Sequence, residues 1–142
     1  MNRQEVNPED NWSANFFFNQ GEVVEGAHRT LYLSGQISAN TDPAAPMGIA
    51  VQFAGDQGKQ IAVVLEKIDQ LLAKANMERK HLIHIKIFTV DVPSFLANYE
   101  LYANWVQEAG IKPTNSLIGV KELAMPDAMV EIEGIAVAPL NV

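Results

Sequence analysis

The sequence predicts a two-layer α+β domain in which two helices cover one face of a single β-sheet. Hydrophobic residues repeat with period two in some segments and with a helical period in others, which gives the order β-β-β-α-β-α-β-β. Only two segments are amphipathic helices, so they must share one sheet face. At 142 residues the chain suits one domain, residues 1–142, with residues 1–14 as a loose N-terminal arm.

Three short strands are predicted before the first helix. Residues 16–18 are apolar, residues 22–25 end at a glycine turn, and residues 29–34 alternate in polarity up to Gly35. Two Pro-containing dipeptides make residues 38–47 a loop.

The first helix is predicted over residues 56–75, with Asp56 as its N-cap. Its apolar residues form one stripe at helical spacing: Ile61, Val64, Leu65, Ile68, Leu71 and Leu72.

Alternation returns in residues 82–90, which predicts a strand with Ile83, Ile85 and Ile87 on one face. The opposite face carries His84, Lys86 and Phe88.

The second helix is predicted from Asp91 to a C-terminal stop at Gly110, with a proline in its first turn. Its inner face is formed by Phe95, Tyr99, Tyr102 and Val106. Residues 115–122 and 129–138 are the two closing strands.

The last strand carries the pattern most suggestive of chemistry. Glu131 and Glu133 share one face, and Val130, Ile132 and Ala136 share the other. Two carboxylates this close cannot both ionise cheaply in a dry site. They therefore indicate either a solvated sheet face or the acid/base end of a pocket.

Composition excludes several classes of protein. The net charge of −7 and the pI of about 4.8 oppose binding to nucleic acid. The chain has no cysteine, which excludes thiolate catalysis, and its histidines lack the spacing of a metal set, so we expect no metal site. Residues 1–15 lack the apolar core of a signal peptide, and no apolar stretch has membrane-spanning length. We expect a soluble cytoplasmic protein that binds neither nucleic acid nor membrane.

The sheet face opposite the helices is too apolar to be left wholly in water. Tyr32, Phe88 and Leu117 are assigned to it together with His84 and Lys86. A monomer would expose this patch, which indicates self-association.

Several segments together resemble the RidA/YjgF family, also called the enamine/imine deaminase or L-PSP family. The resemblance spans about residues 18–138 and depends on the order and spacing of its pieces. These are Phe18-Asn19-Gln20-Gly21, Leu31-Tyr32-Leu33-Ser34-Gly35-Gln36-Ile37, Phe88-Thr89-Val90-Asp91 with Phe95 and Tyr102, Pro113 to Val120, and Val130 to Ala136.

The resemblance implies a ferredoxin-like (chorismate-mutase-like) domain that forms a homotrimer with a central barrel and ligand clefts between subunits. Active members of the family hydrolyse reactive imines and enamines, such as 2-aminoacrylate, to a keto acid and ammonia without a cofactor. The implied partners are therefore a small-molecule ligand and further copies of the chain.

The resemblance also implies roles for individual residues. Glu131 takes the position of the catalytic glutamate, with Glu133 beside it, and Ser34 that of a cleft serine followed by Gly35. These residues are predicted to contact the substrate. Phe18 replaces a cleft tyrosine, and Tyr99 takes the place of an asparagine on the second helix.

The main departure is Asn115, which stands where the family has an arginine that grips the substrate carboxylate. A guanidinium makes two charged hydrogen bonds, each worth roughly 1.5–3 kcal/mol. An amide makes neither, so a neutral or differently charged ligand fits this chain better than a 2-imino acid. Three functions stay open: a hydrolase or deaminase of a small imine or enamine, a trimer that binds a metabolite without turnover, and, third, a ribonuclease or translation inhibitor.

Overall fold

The computed structural model describes residues 1–140. Its strands are β1 (Asn2–Val6), β2 (Gly21–Glu25), β3 (His28–Gln36), β4 (Ala39–Thr41), β5 (Ile49–Val51), β6 (Leu82–Thr89), β7 (Thr114–Gly119) and β8 (Val130–Pro139). Its α-helices are α1 (Gln57–Lys74), α2 (Val92–Ala97) and α3 (Tyr99–Glu108), and short 3₁₀ turns occupy Trp12–Phe16 and Arg79–His81.

The main sheet has four strands in the order β3-β8-β6-β7, with β6 and β7 parallel and the other pairs antiparallel. The strands β3 and β7 are its two edges, and within the described chain the sheet does not close on itself. The helices cover one face, so the predicted two-layer α+β architecture is confirmed. The other face is open, and Tyr32 on it is 77% exposed.

The core lies between α1, α3 and the inner sheet face. The stripe predicted on α1 is confirmed, because all six residues are buried or pack against the core. The carboxylate of Asp56 accepts the backbone N–H of Lys59, as predicted for the N-cap. The largest fully buried side chains of the main sheet are Leu82, Ile85, Ile87 and Ile132.

The N-terminal region differs from its prediction. Residues 2–6 are not a loose arm: they form β1, which pairs with β2. The side chain of Arg3 binds Glu22 at 2.7 Å and reaches the carbonyls of Lys80 and Leu82. Tertiary hydrogen bonds therefore order a segment that has no apolar period.

The strand predicted over residues 16–18 is also wrong. This segment ends a 3₁₀ turn, and Phe17 adopts a left-handed conformation at φ 62°. The hydroxyl of Ser13 donates to the carbonyl of Phe18 at 2.7 Å. Local bonding of this kind competes with extended structure, and the apolar run alone did not reveal it.

Three smaller differences concern element boundaries. The second helix is broken at Asn98, whose side-chain amide donates to the carbonyl of Ser94 at 2.9 Å and so ends α2. The predicted loop over residues 38–47 contains β4, which pairs with β5. The strand β6 has a register shift between Leu82 and His84, which leaves Ile83 outside the core that Ile85 and Ile87 share.

Candidate functional site

The largest cavity near the predicted site residues wraps around the free edge of β7, and we call it the β7 cleft. Its volume is about 780 Å³. Three of the predicted site residues, Phe18, Tyr99 and Asn115, line it together. The rest of its wall is formed by Trp12, Phe16, Asn19, Gln20, His84, Leu96, Thr114, Ser116, Leu117 and Ile118.

Aromatic residues form one wall of the β7 cleft. The rings of Trp12 and Phe18 pack edge to face at 5.6 Å, and those of Phe16 and Tyr99 at 6.2 Å. The Tyr99 hydroxyl donates to the carbonyl of Phe16, which ties the N-terminal turn to α3. Burial raises the pKa of Tyr99 to about 12, so this hydroxyl keeps its proton and serves as a structural donor.

The β7 cleft contains no charged side chain among the described residues. Its lining includes no Lys, Arg, Asp or Glu. The only ionisable groups there are the Tyr99 phenol and His84, whose pKa is lowered mainly by burial and secondly by Lys86. The polar groups of the cleft are therefore amides, hydroxyls and a neutral imidazole near neutral pH.

Within residues 1–140, Asn115 is the cleft residue that carries a buried side-chain polar atom without a hydrogen-bond partner. It lies opposite Ile85 in the β6–β7 pairing and so projects to the helix-covered side of the sheet. The side-chain amide oxygen of Asn115, Oδ1, is buried and has no hydrogen-bond partner in the described chain. A buried unpaired polar atom costs about 1–3 kcal/mol, and a ligand donor would relieve this cost once the Asn115 side chain turns toward the cleft.

The remaining predicted site residues lie at the opposite side of the sheet. Ser34 and Gly35 form a bulge in edge strand β3, between the pairs that Leu33 and Gln36 make with β8. Ser34 and Glu133 line a second cavity of about 440 Å³ on the open face, the sheet-face cavity.

Glu131 projects from the open face of β8, because its neighbours Val130 and Ile132 are fully buried in the core. Its carboxylate lies against Gly35, where an added Cβ would collide with it. Glycine at this bulge thus makes room for the glutamate side chain. Both Glu131 and Glu133 are half-exposed in the single chain.

One chain does not bring Glu131 and Asn115 together. They project from opposite faces of the sheet, and β6 lies between their strands. Their backbones are therefore about 10 Å apart across the strands and, with an offset of three residues, about 10 Å apart along them. The predicted residues therefore form two groups, Phe18, Tyr99 and Asn115 at the β7 edge and Ser34, Gly35, Glu131 and Glu133 near the β3 edge.

His84 lines both cavities, and sequence reasoning did not predict it as a site residue. The alternation of β6 placed it on the open face, but nothing in the pattern indicated that this position adjoins the β7 cleft. Thr114 and Ser116 were missed for the same reason, since their roles depend on β7 being an edge strand.

Comparison with known proteins assigns the chain to a family. The sequence profile described as Endoribonuclease L-PSP matches residues 12–138. The chain belongs to this family. A RutC family protein from Aquifex aeolicus is 28% identical over 107 residues, which cover 75% of this chain and 79% of the relative.

Solved structures of proteins described as Rid or YjgF family members have the same fold as this chain. A Rid family protein from Yersinia pestis, YyfB, superimposes with a TM-score of 0.78 at 28% identity and covers 96% of this chain and 98% of its own. Rv2704 from Mycobacterium tuberculosis, a member of the YjgF/YER057c/UK114 family, has a TM-score of 0.61 at 17% identity, covering 96% of this chain and 100% of its own, and shows the fold alone.

In residues 1–140 no helix is long and apolar enough to cross a membrane. Within the same residues no three His, Cys, Asp or Glu side chains converge as metal ligands.

Proposed function

We propose that this L-PSP family chain is a hydrolase, or deaminase, of a small neutral imine or enamine, which binds in the β7 cleft. The observation that carries the proposal is the absence of charged side chains from the cleft lining within residues 1–140, with the unpaired Asn115 amide where the family resemblance implies an arginine. The site would act without a cofactor, as the resemblance implies.

The lack of charged side chains in the described cleft lining favours a neutral ligand. A substrate carboxylate entering it would lose its hydration and find no cation in the described lining. Burying an unpaired charge is far more costly than burying an amide or a hydroxyl. A neutral ligand with polar hydrogen-bonding groups suits Asn115, Ser116 and the aromatic wall better than a 2-imino acid does.

The catalytic carboxylate would come from a second copy. Within one chain Glu131 lies across the sheet from Asn115, and the β3 and β7 edges are both free. A head-to-tail contact that sets the β3 region of one copy on the β7 edge of the next would unite the two groups. Such heterologous contacts close into rings, and a homotrimer is the ring that the family resemblance implies.

The reaction needs one group that moves protons. Glu131 would take a proton from water as the water oxygen bonds to the imine carbon and the C=N electron pair shifts to nitrogen. Glu131 then passes that proton to the nitrogen, which gives a carbinolamine. Glu131 next moves the proton of the new hydroxyl to the nitrogen, and the nitrogen leaves as ammonia while the carbonyl forms. An enamine must first be protonated at carbon, and Ser34 and Glu133 would orient the reactants.

A second candidate is a binding protein that holds the same ligand without turnover. The same observation favours it, because one chain supplies the cleft with no acid or base other than His84 and the Tyr99 phenol. A ribonuclease is supported only by names, those of the family and of solved neighbours whose descriptions contain the word endoribonuclease, and the charge of −7 opposes the approach of RNA.

The test compares two imines that differ in the carboxylate. An amine oxidase acting on propylamine supplies a neutral imine in situ, and an amino acid oxidase acting on alanine supplies a 2-imino acid. Semicarbazide reacts faster with an imine than with the carbonyl product of its hydrolysis, so hydrolysis lowers the initial rate of semicarbazone formation. We expect the protein to suppress trapping of the neutral imine, Glu131→Gln to abolish this effect, and Asn115→Arg to shift it toward the 2-imino acid.

Three outcomes are informative. Hydrolysis of the 2-imino acid by the native protein would contradict the specificity argument. Unchanged trapping of both imines would favour binding without turnover. Native activity that survives Glu131→Gln would remove Glu131 from the chemistry.

A further inference from the structure

His84 lies at the boundary between the β7 cleft and the sheet-face cavity. It is half-buried, and it stands in the row Tyr32, Ile135, His84 and Thr114 across the open face. Its Nε2 atom has no hydrogen-bond partner within residues 1–140, whereas its Nδ1 atom lies 2.8 Å from the hydroxyl of Thr114.

The Thr114 hydroxyl decides which nitrogen of His84 carries the proton. That hydroxyl donates to the carbonyl of Ile83 at 2.9 Å, and a carbonyl can only accept. A hydroxyl has a single hydrogen, so toward His84 it must act as the acceptor. Nδ1 therefore carries the hydrogen, and Nε2 of the neutral ring is left with a free lone pair.

The surroundings keep this ring neutral. Burial lowers the pKa of His84 and Lys86 lowers it further, while Glu133 and the Thr114 backbone raise it by less. The titratable groups that line a cavity together with His84 are Lys86 on the same strand, Glu133 on β8 and Tyr32 on β3 in the sheet-face cavity, and Tyr99 on α3 in the β7 cleft.

We propose that His84 is a further ligand-binding residue of the β7 cleft, held by Thr114 as the Nδ1–H tautomer so that Nε2 accepts a hydrogen bond from an N–H group of the ligand. This deepens and rests on the proposed function, because it specifies that the neutral ligand presents N–H to the His84 side of the cleft. Imines bearing N–H and enamines bearing NH₂ both meet this requirement, and a ketone or an ester does not.

The experiment is long-range ¹H–¹⁵N NMR of the full-length protein labelled at histidine. The free protein should show a protonated Nδ1 and an unprotonated Nε2 for His84. Titration with propionamide, an unreactive neutral molecule with two N–H groups, should shift the Nε2 resonance saturably, and titration with butanone, of similar size but without N–H, should not.

Variants of Thr114 test the tautomer of His84, and a variant of His84 tests the hydrogen bond between Nε2 and the ligand. Thr114→Val should release the tautomer preference, and Thr114→Ser should keep it. His84→Asn retains a donor toward Thr114 but has no acceptor in place of Nε2, so its affinity for propionamide should fall about five-fold, the size of one neutral hydrogen bond.

Two results would overturn the proposal: a protonated Nε2 in the free protein, or no saturable change at Nε2 with propionamide. Equal responses to propionamide and butanone would overturn the N–H requirement. The titration involves no turnover, so it can succeed where imine hydrolysis is not found, and the two failures are distinguishable.

Discussion

Two tyrosine hydroxyls on α3 lie in opposite situations. The Tyr99 hydroxyl donates to the carbonyl of Phe16, whereas the Tyr102 hydroxyl is fully buried without a partner in the described chain, and burial raises the pKa of Tyr102 strongly. Tyr99→Phe should therefore lower the free energy of unfolding by about 1 kcal/mol, and Tyr102→Phe should leave it unchanged or raise it by up to about 1 kcal/mol. Urea unfolding of the two matched variants measures this difference, and equal losses would contradict the assignment.

Gly35 is the residue whose replacement tests the position of Glu131. An added methyl group at Gly35 would collide with the Glu131 side chain, which must then move. Gly35→Ala should reduce imine hydrolysis about ten- to a hundred-fold, because small displacements of a catalytic group are costly. Its free energy of unfolding should change by no more than about 1 kcal/mol, since the Glu131 side chain is half-exposed and can turn toward solvent.

The control for Gly35 is Gly21, which lies in β2 and lines neither cavity. A Cβ there meets its nearest atoms at 3.6 Å, an ordinary contact. Gly21→Ala should keep full activity. Full activity in Gly35→Ala would show that Glu131 does not act from this position.

Among the elements, β1 is the one whose stability depends most on a single side chain. Arg3 binds Glu22, whose side chain is only 7% exposed, and also caps two carbonyls near the start of β6. Arg3→Ala leaves that carboxylate buried without a partner and should lower the free energy of unfolding by about 2 kcal/mol.

Arg3→Lys is the matched variant for β1. It keeps the charge but not the planar set of donors, so an intermediate loss is expected in thermal or urea unfolding. Amide hydrogen exchange in β1 and β2 should rise in Arg3→Ala. Unchanged protection there would mean that backbone pairing alone holds β1.

The elements that sequence reasoning predicted are those with a clear hydrophobic period. The α1 stripe, the alternation of β6 from His84 onward and the buried side of β8 all encode burial directly, and each is confirmed. Strand β1, the turn before Phe18 and the break at Asn98 were not predicted, because side-chain hydrogen bonds to the backbone or across the fold decide them. Such bonds leave no periodic signal.

The candidate site was predictable only in part for a related reason. Phe18, Tyr99 and Asn115 were identified from the resemblance, and the fold gathers them at one cleft. The cleft contribution of His84 follows from the position of β7 at the sheet edge, which a single sequence does not show. The roles of all these residues stay predictions.

At the scale of the whole molecule, the free β3 and β7 edges and the exposed Tyr32 leave the single chain with surfaces that a second copy would cover. The proposed site needs that copy, since Glu131 and Asn115 project from opposite faces of one sheet. The oligomer is thus part of the proposed chemistry as well as of the proposed architecture.

Subunit complementation tests this claim most directly. Glu131→Gln and Asn115→Asp are each expected to be inactive, and both replacements keep the size of the side chain. If each site combines the cleft of one copy with the glutamate of its neighbour, random mixed oligomers of equal amounts should recover about one quarter of native imine hydrolysis, because half of the clefts and half of the neighbouring glutamates are intact. With one variant labelled with ¹⁵N, native mass spectrometry shows whether mixed oligomers form, and mixed oligomers that recover no activity would contradict a site shared between copies.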